Sequence, residues 1–143
     1  MKSLIAAVVG AMLLASPVLA QVSSEVQVAF DEGRFLDAAD LGEAAATSAS
    51  LAMAAQSLAL YGYYLAAEDD KQALFSRAVA LAERAVAQDA ANPQAHLQHC
   101  HAMGRYAQTI SAVEALSEGY AELIRGAIDK ALALDPDMVP ALL

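Results

Sequence analysis

The sequence predicts an all-α protein built from paired amphipathic helices, and three observations lead there. Beyond the first twenty positions alanine is by far the commonest residue, tryptophan is absent, and proline occurs only at Pro93, Pro136 and Pro140. No stretch alternates apolar and polar residues as a half-buried strand does. Small and apolar residues instead recur at steps of three and four: Leu51, Ala55, Leu58, Gly62 and Leu65, then Leu74, Ala78, Leu81 and Ala85, then Tyr120, Ile124, Ala127, Ala131 and Leu134. Glu122, Arg125 and Asp129 form a charged row on another face of the last of these.

The chain opens with Lys2, an uncharged run from Leu4 to Ala15, and then Ser16, Pro17, Val18, Leu19 and Ala20. That run is too short to span a bilayer, and Val18 and Ala20 set small residues where a signal peptidase reads. Residues 1–20 are therefore expected to be a signal peptide cleaved after Ala20, with no cysteine following the run to accept a lipid. The mature chain, 21–143, is expected in the periplasm as one helical domain with no stable membrane insertion.

Six helical segments follow, at about 23–32, 35–48, 51–66, 70–89, 93–106 and 118–134. Ser24 with Gln27 and Asp69 with Gln72 have capping-box spacing, and Asn92 before Pro93 reads as a cap followed by a first-turn proline. Residues 107–117 carry a weaker pattern, a short helix or an ordered connector. Between Glu43 and Glu68 lie 24 residues without a charge. Thr47, Ser48, Ser50, Gln56 and Ser57 interrupt that stretch, and alanine gives little transfer free energy, so it reads as the central buried helix of the fold and not as a membrane span.

An internal comparison shows how the helices are arranged. Ala85 to Leu97 (AVAQDAANPQAHL) aligns without a gap onto Ala131 to Leu143 (ALALDPDMVPALL), a spacing of 46 residues at which Ala85, Asp89 and Leu97 meet Ala131, Asp135 and Leu143. In both copies a helix ends, turns at an aspartate followed by a proline-bearing loop, and restarts at an alanine.

With Pro136 completing the run A-L-A-L-D-P, this pattern resembles the end of the second helix of a tetratricopeptide repeat. Gly33, Phe35 and Ala38 in DEGRFLDAAD resemble the glycine, aromatic and alanine at the turn between the two helices of such a repeat. The stretch from Gly104 to Asp137 is also similar to poorly characterised exported tetratricopeptide-like proteins of proteobacteria, which implies no known activity. The resemblance covers nearly all of 22–143, with extra length near Glu68–Gln72 and in 105–118. It implies an α-α superhelix of about three helix pairs whose first helices line a concave groove. On that register Ser57, Tyr61 and Tyr64 would line the groove in the second unit, and Gln94, Leu97 and His101 in the third, with Tyr61, Tyr63 and Tyr64 alternatively filling the core or its rim. Val139–Leu143 would open a fourth repeat, as expected of a fragment of a longer protein, or of a terminal turn laid against the preceding helix or a partner.

The remaining chemistry narrows the function. The whole chain has a formal net charge of −9, and loss of Lys2 leaves 7 basic residues against 17 acidic ones, a balance that repels nucleic acid and anionic head groups. Cys100 is the only cysteine and cannot close an intramolecular disulfide. His96, His99 and Cys100 are three and four residues apart on one helix, with His101 beside them, a spacing that could bring two or three ligands to zinc or copper; as a packed helix the same residues would be a buried small side chain with histidines around it. No Gly-Ser elbow or phosphate-cradling glycine loop occurs, and the adjacent Asp69 and Asp70 suit a helix start better than an acid and base pair. The expected function is a protein-interaction scaffold, without catalysis or cofactor, that holds another protein or peptide of the cell envelope, with a small metal-binding protein using His96, His99 and Cys100 as the alternative.

Overall fold

The computed structural model describes residues 21–141, with side chains described to Met138; the segment 1–20, read above as a signal peptide, and the last two leucines lie outside them. Every regular element described is helical: α1 (Ser24–Asp31), α2 (Phe35–Ala45), α3 (Ser48–Tyr64), α4 (Glu68–Gln88), α5 (Pro93–Ala107), α6 (Ala112–Ser117), α7 (Tyr120–Leu134) and a closing 3-10 turn, Pro136–Ala141. None of the described helices is long and apolar enough to cross a membrane.

Local chemistry sets the boundaries. Ser23, and not Ser24, caps α1, its hydroxyl accepting from the Val26 N–H. At the far end the Gly33 N–H reaches the Phe30 carbonyl and the Arg34 N–H reaches that of Ala29, a Schellman closure that needs the left-handed φ of +73° at Gly33. Phe35 begins α2 with its ring edge-on to Phe30, centroids 5.6 Å apart. The boundary expected between 48 and 51 falls earlier, because Thr47 caps α3 through the Ser50 N–H and Ala46 takes the left-handed φ of +53° that ends α2. The capping box read at Asp69 and Gln72 is not formed: α4 starts after Ala67, which offers no side-chain cap, so Asp69 lies within the first turn, where its charge still suits the helix N-terminus. Asn92 caps α5 as read, with Pro93 in the first turn. The weak segment 107–117 contains α6, capped by Ser111.

The 46-residue internal match extends to conformation. Asp89 and Asp135 both end their helices with extended backbone (φ −152°, ψ 97° and φ −143°, ψ 92°) and donate their N–H to Ala85 and Ala131, which are both fully buried. Their Oδ1 atoms accept from Ala91 and Asp137, residues that also differ by 46 positions.

Packing centres on α3, which meets α1, α2, α4 and α5. Its uncharged sequence is buried on almost every side; only Tyr63 and Tyr64 of its 17 residues are exposed. Small residues let the helices close up: a Cβ on Gly42 would stand 2.5 Å from the Ser50 carbonyl oxygen, and one on Gly62 would stand 2.6 Å from the Phe75 ring. Leu51, Leu58 and Leu81 fill the space between, surrounded by alanines of α2 to α5. Hydrogen bonds fix the directions of the helices. The Ser23 N–H donates to Ser50 Oγ, Asn92 Nδ2 to Ser48 Oγ, and Ser48 Oγ to the Ala85 carbonyl. The starts of α1, α3 and α5 therefore lie together, beside the end of α4. At the opposite end Arg105, in the last turn of α5, lies over the ring of Tyr63 in the last turn of α3. Thus α3 and α5 run parallel as one layer, with the start of α1 beside theirs. Behind it α2 and α4 are tied by Arg77, which donates to Asp40 and Glu43, and by Arg84, which donates to Glu43, while α7 packs on α5.

Candidate functional site

The layer of parallel helices forms the wall of an open groove of about 1600 Å³. From α3 it receives Met53, Gln56, Leu60 and Tyr63, a row at steps of three and four that keeps one helix face turned outward. From α5 it receives Gln94, Gln98, His101 and Arg105, which form a second such row, with Leu97 and Cys100 beside them. Ser24 and Gln27 of α1 complete it on one side, and Ile128 of α7 reaches it on the other.

The six residues expected in a groove divide. Tyr64, Gln94, Leu97 and His101 line it. Ser57 and Tyr61 do not: Ser57 is fully buried and its hydroxyl donates to the Met53 carbonyl at 2.7 Å, and Tyr61 lies round the helix from the groove face. The outward face of α3 is one residue, about 100° of helix, from the one read in the sequence. Its cause is the close approach of α4 at Gly62 and Phe75, which turns 58 and 62 inward and carries 57 and 61 with them. Sequence reasoning missed Met53, Gln56, Leu60, Gln98 and Arg105. On α5 a signal existed, since Gln94, Gln98, His101 and Arg105 share a straight polar stripe; on α3 small and apolar residues surround the whole circumference, so periodicity did not single out a face.

The metal-like cluster is taken apart by its own packing. His96 is buried and its ring Nε2 lies 2.9 Å from the Ala90 carbonyl, which it serves as donor. His99 points to α4, where Nε2 lies 3.7 Å from Glu83. Cys100 packs with Met103 and Ala127 between α5 and α7. Among the described residues no three His, Cys, Asp or Glu side chains are gathered so that they could hold a metal ion. Helical spacing puts His96, His99 and Cys100, the three residues read as the alternative metal ligands, on adjoining faces, and in the structure each is packed against different neighbours.

Titration follows the same packing. Burial pushes the Cys100 thiol up, which keeps it protonated and a poor nucleophile. Burial, aided by the nearby Arg105 charge, pushes His101 below the usual imidazole range, and burial does the same to His99 against the opposing pull of Glu83. His101 consequently faces the groove as a neutral imidazole at neutral pH.

The groove is nearly uncharged in an acidic chain. Of its lining residues only Asp89 and Arg105 carry formal charge. Both are engaged: Asp89 Oδ1 accepts the Ala91 N–H at 2.9 Å, and the Arg105 guanidinium lies 3.8 Å from the Tyr63 ring centroid. Tyr64 meets Tyr63 edge-on, centroids 4.7 Å apart, and the two close that end. The arrangement presents amides, one neutral imidazole, tyrosine rings and short apolar side chains to whatever lies in the groove.

Comparison with models of known protein families, with curated proteins and with solved structures gives no match for this chain, and the groove has to be understood from its own residues.

Proposed function

We propose that the chain is a tetratricopeptide-like module of about three helix pairs, exported to the periplasm, that holds another protein or peptide of the cell envelope in this groove without catalysing a reaction on it. One observation carries the reading: the first helices of the three pairs, α1, α3 and α5, start side by side, α3 and α5 run parallel, and together they line an open face of mixed polar and apolar side chains. Supporting it are the 46-residue repeat with its matched turns at Asp89 and Asp135, and the Gly33, Phe35 and Ala38 arrangement at the first hairpin. Export is supported by the signal-peptide pattern of Lys2 to Ala20.

The test is capture of partners from envelope extract by the purified chain, beside a variant with Gln56→Lys and Gln94→Lys. Neither glutamine is buried, so circular dichroism of the two proteins should coincide. A saturable partner held by the first protein and lost by the second is the expected result; a partner held equally by both lies elsewhere on the surface and overturns the reading.

A further inference from the structure

One residue of the groove changes its chemistry on export. Gln21, exposed and outside any helix, lines the groove beside Val22. On the export reading proposed above, cleavage after Ala20 makes Gln21 the first residue and sets a new α-amine at this end of the groove.

The fold holds that amine in place. Two residues further on, Ser23 is fixed twice: its N–H donates to Ser50 Oγ at 3.2 Å, and its hydroxyl caps α1. Two residues of chain reach about 7 Å at most, so the amine stays within that distance of Ser23, at the junction where α1, α3 and α5 start. Each helix start carries partial positive charge, so a protonated amine there meets three ends of its own sign. Against them stand the end of α4 and Asp89, whose Oδ1 already accepts from the Ala91 N–H. Glu25, the next carboxylate along the chain, lines a different hollow with Val28, Arg34 and Leu41.

An N-terminal glutamine has a way to lose this charge. The α-amine nitrogen attacks Cδ of its own side chain, the new N–Cδ bond closes a lactam, and the Cδ–Nε2 bond breaks. Ammonia leaves, carrying the proton of the former cation with it as ammonium, and no oxidant, reductant or second reactant takes part. An α-amine is partly neutral near pH 7, as a lysine amine is not, and attack within one residue needs no encounter. Because Gln21 is exposed, its side chain has room to fold back on that amine.

We infer that Gln21 is a modification site: once residues 1–20 are removed it closes to pyroglutamate, and the mature protein carries a neutral lactam, in place of a cation, where the three helix starts meet the groove. Without the closure the groove would hold an ammonium beside Asp89 and Arg105, both of which are already engaged.

The experiment expresses the whole sequence from Met1 with a tag at its C-terminus and recovers the protein from the periplasm. Its N-terminus is read by mass spectrometry of the intact chain and of its first peptide. The expected mass is that of a chain starting at Gln21 less one ammonia, with the loss on the first residue. Stepwise degradation from the N-terminus should be blocked until a pyroglutamyl aminopeptidase is added. Gln21→Asn, one methylene short of a stable ring, should keep its full mass and its amine. A chain that starts at Gln21 and keeps its amide through prolonged incubation at neutral pH overturns this inference and leaves the export reading intact. A chain that retains residues 1–20 overturns both, and one cut at another bond overturns the inference by giving it a different first residue. Thermal unfolding tests the placement of the charge. Gln21→Asn still carries the cation and should melt about 1–4 °C below the cyclised wild type at pH 7, a gap that closes at pH 9.5, where the amine is neutral. Equal melting at pH 7, or a gap unchanged at pH 9.5, places the N-terminus away from the helix starts and overturns its role in the groove.

Discussion

Two helices dominated by small and aliphatic residues, α3 and α7, meet opposite fates in this protein. Both are rich in alanine and leucine, yet α3 buries ten residues and α7 buries two, Ala127 and Ala131. Leu123 stays 53% exposed on α7, and on α6 beside it Val113 and Leu116 are 78% and 74% exposed. The two differ in charge, since α3 carries none and α7 carries Glu122, Arg125, Asp129 and Lys130, and in neighbours: α3 is enclosed by α1, α2, α4 and α5, whereas α7 lies mainly on α5. Burial in a stacked helical protein follows from position in the stack together with the charge the helix carries.

The largest test of that difference is one substitution made in each region. Gly42→Ala forces a methyl group against the Ser50 carbonyl oxygen and the Ala54 side chain, so α2 and α3 must separate. Overpacking against backbone should cost about 3 kcal/mol or more in urea unfolding. Gly126→Ala, in α7, meets nothing within 4 Å and should raise stability by about 0.5–1 kcal/mol, because alanine loses less backbone entropy in a helix. Equal costs at the two sites would mean that α7 is enclosed like α3.

A leucine pair sharpens the same contrast with smaller effects. Leu58 is fully buried at the centre of the core, and Leu58→Ala should cost about 2–5 kcal/mol through lost transfer energy and the cavity left behind. Leu123→Ala removes a side chain that is already half in water and should cost under about 0.5 kcal/mol. Amide exchange should also be faster along α6 and α7 than along α3, since fewer apolar contacts hold them.

The contrast also explains what was legible in the sequence. Helix type and six of the seven described α-helices followed from periodicity, α6 lying in the weak segment 107–117, and the places where a side chain or glycine marks a boundary, Asn92 and Gly33, were read correctly. Boundaries slipped where two caps competed: Ser23 prevailed over Ser24, and Thr47 started α3 ahead of the expected residue 51. The burial of the uncharged stretch was plain, because a charge-free helix of this length has few other places to go. Its outward face was not, because orientation is set by the partner side chain at Gly62, which is Phe75 on another helix. The same limit applies to His96, whose spacing suggested a ligand until the Ala90 carbonyl claimed its ring.

Acid should weaken the well-packed region by a smaller amount. His99 and His101 have pKa values pushed down by burial in the folded state, while in the unfolded chain they titrate near the ordinary value of 6.5. As pH falls through that value the unfolded chain takes up protons that the folded chain still excludes, so stability falls. The loss ends once the folded imidazoles protonate as well. His101→Gln should flatten part of this dependence, measured as unfolding midpoints between pH 7.5 and 5.

The smallest expected effect lies on the far side of the helices from the groove, where Glu43 accepts from both Arg77 and Arg84 and its carboxyl is held below the usual carboxylate range by them. The three side chains are 37% to 48% exposed, so water and salt screen most of their attraction. Glu43→Gln should cost under about 1 kcal/mol, and the difference from wild type should shrink in 1 M salt. A larger cost that survived salt would mean that this ion pair, more than the close approaches at Gly42 and Gly62, holds α2 and α4 in place. The enclosed region would then owe its order to charge at its surface, and the comparison with α7 would have to be drawn in those terms.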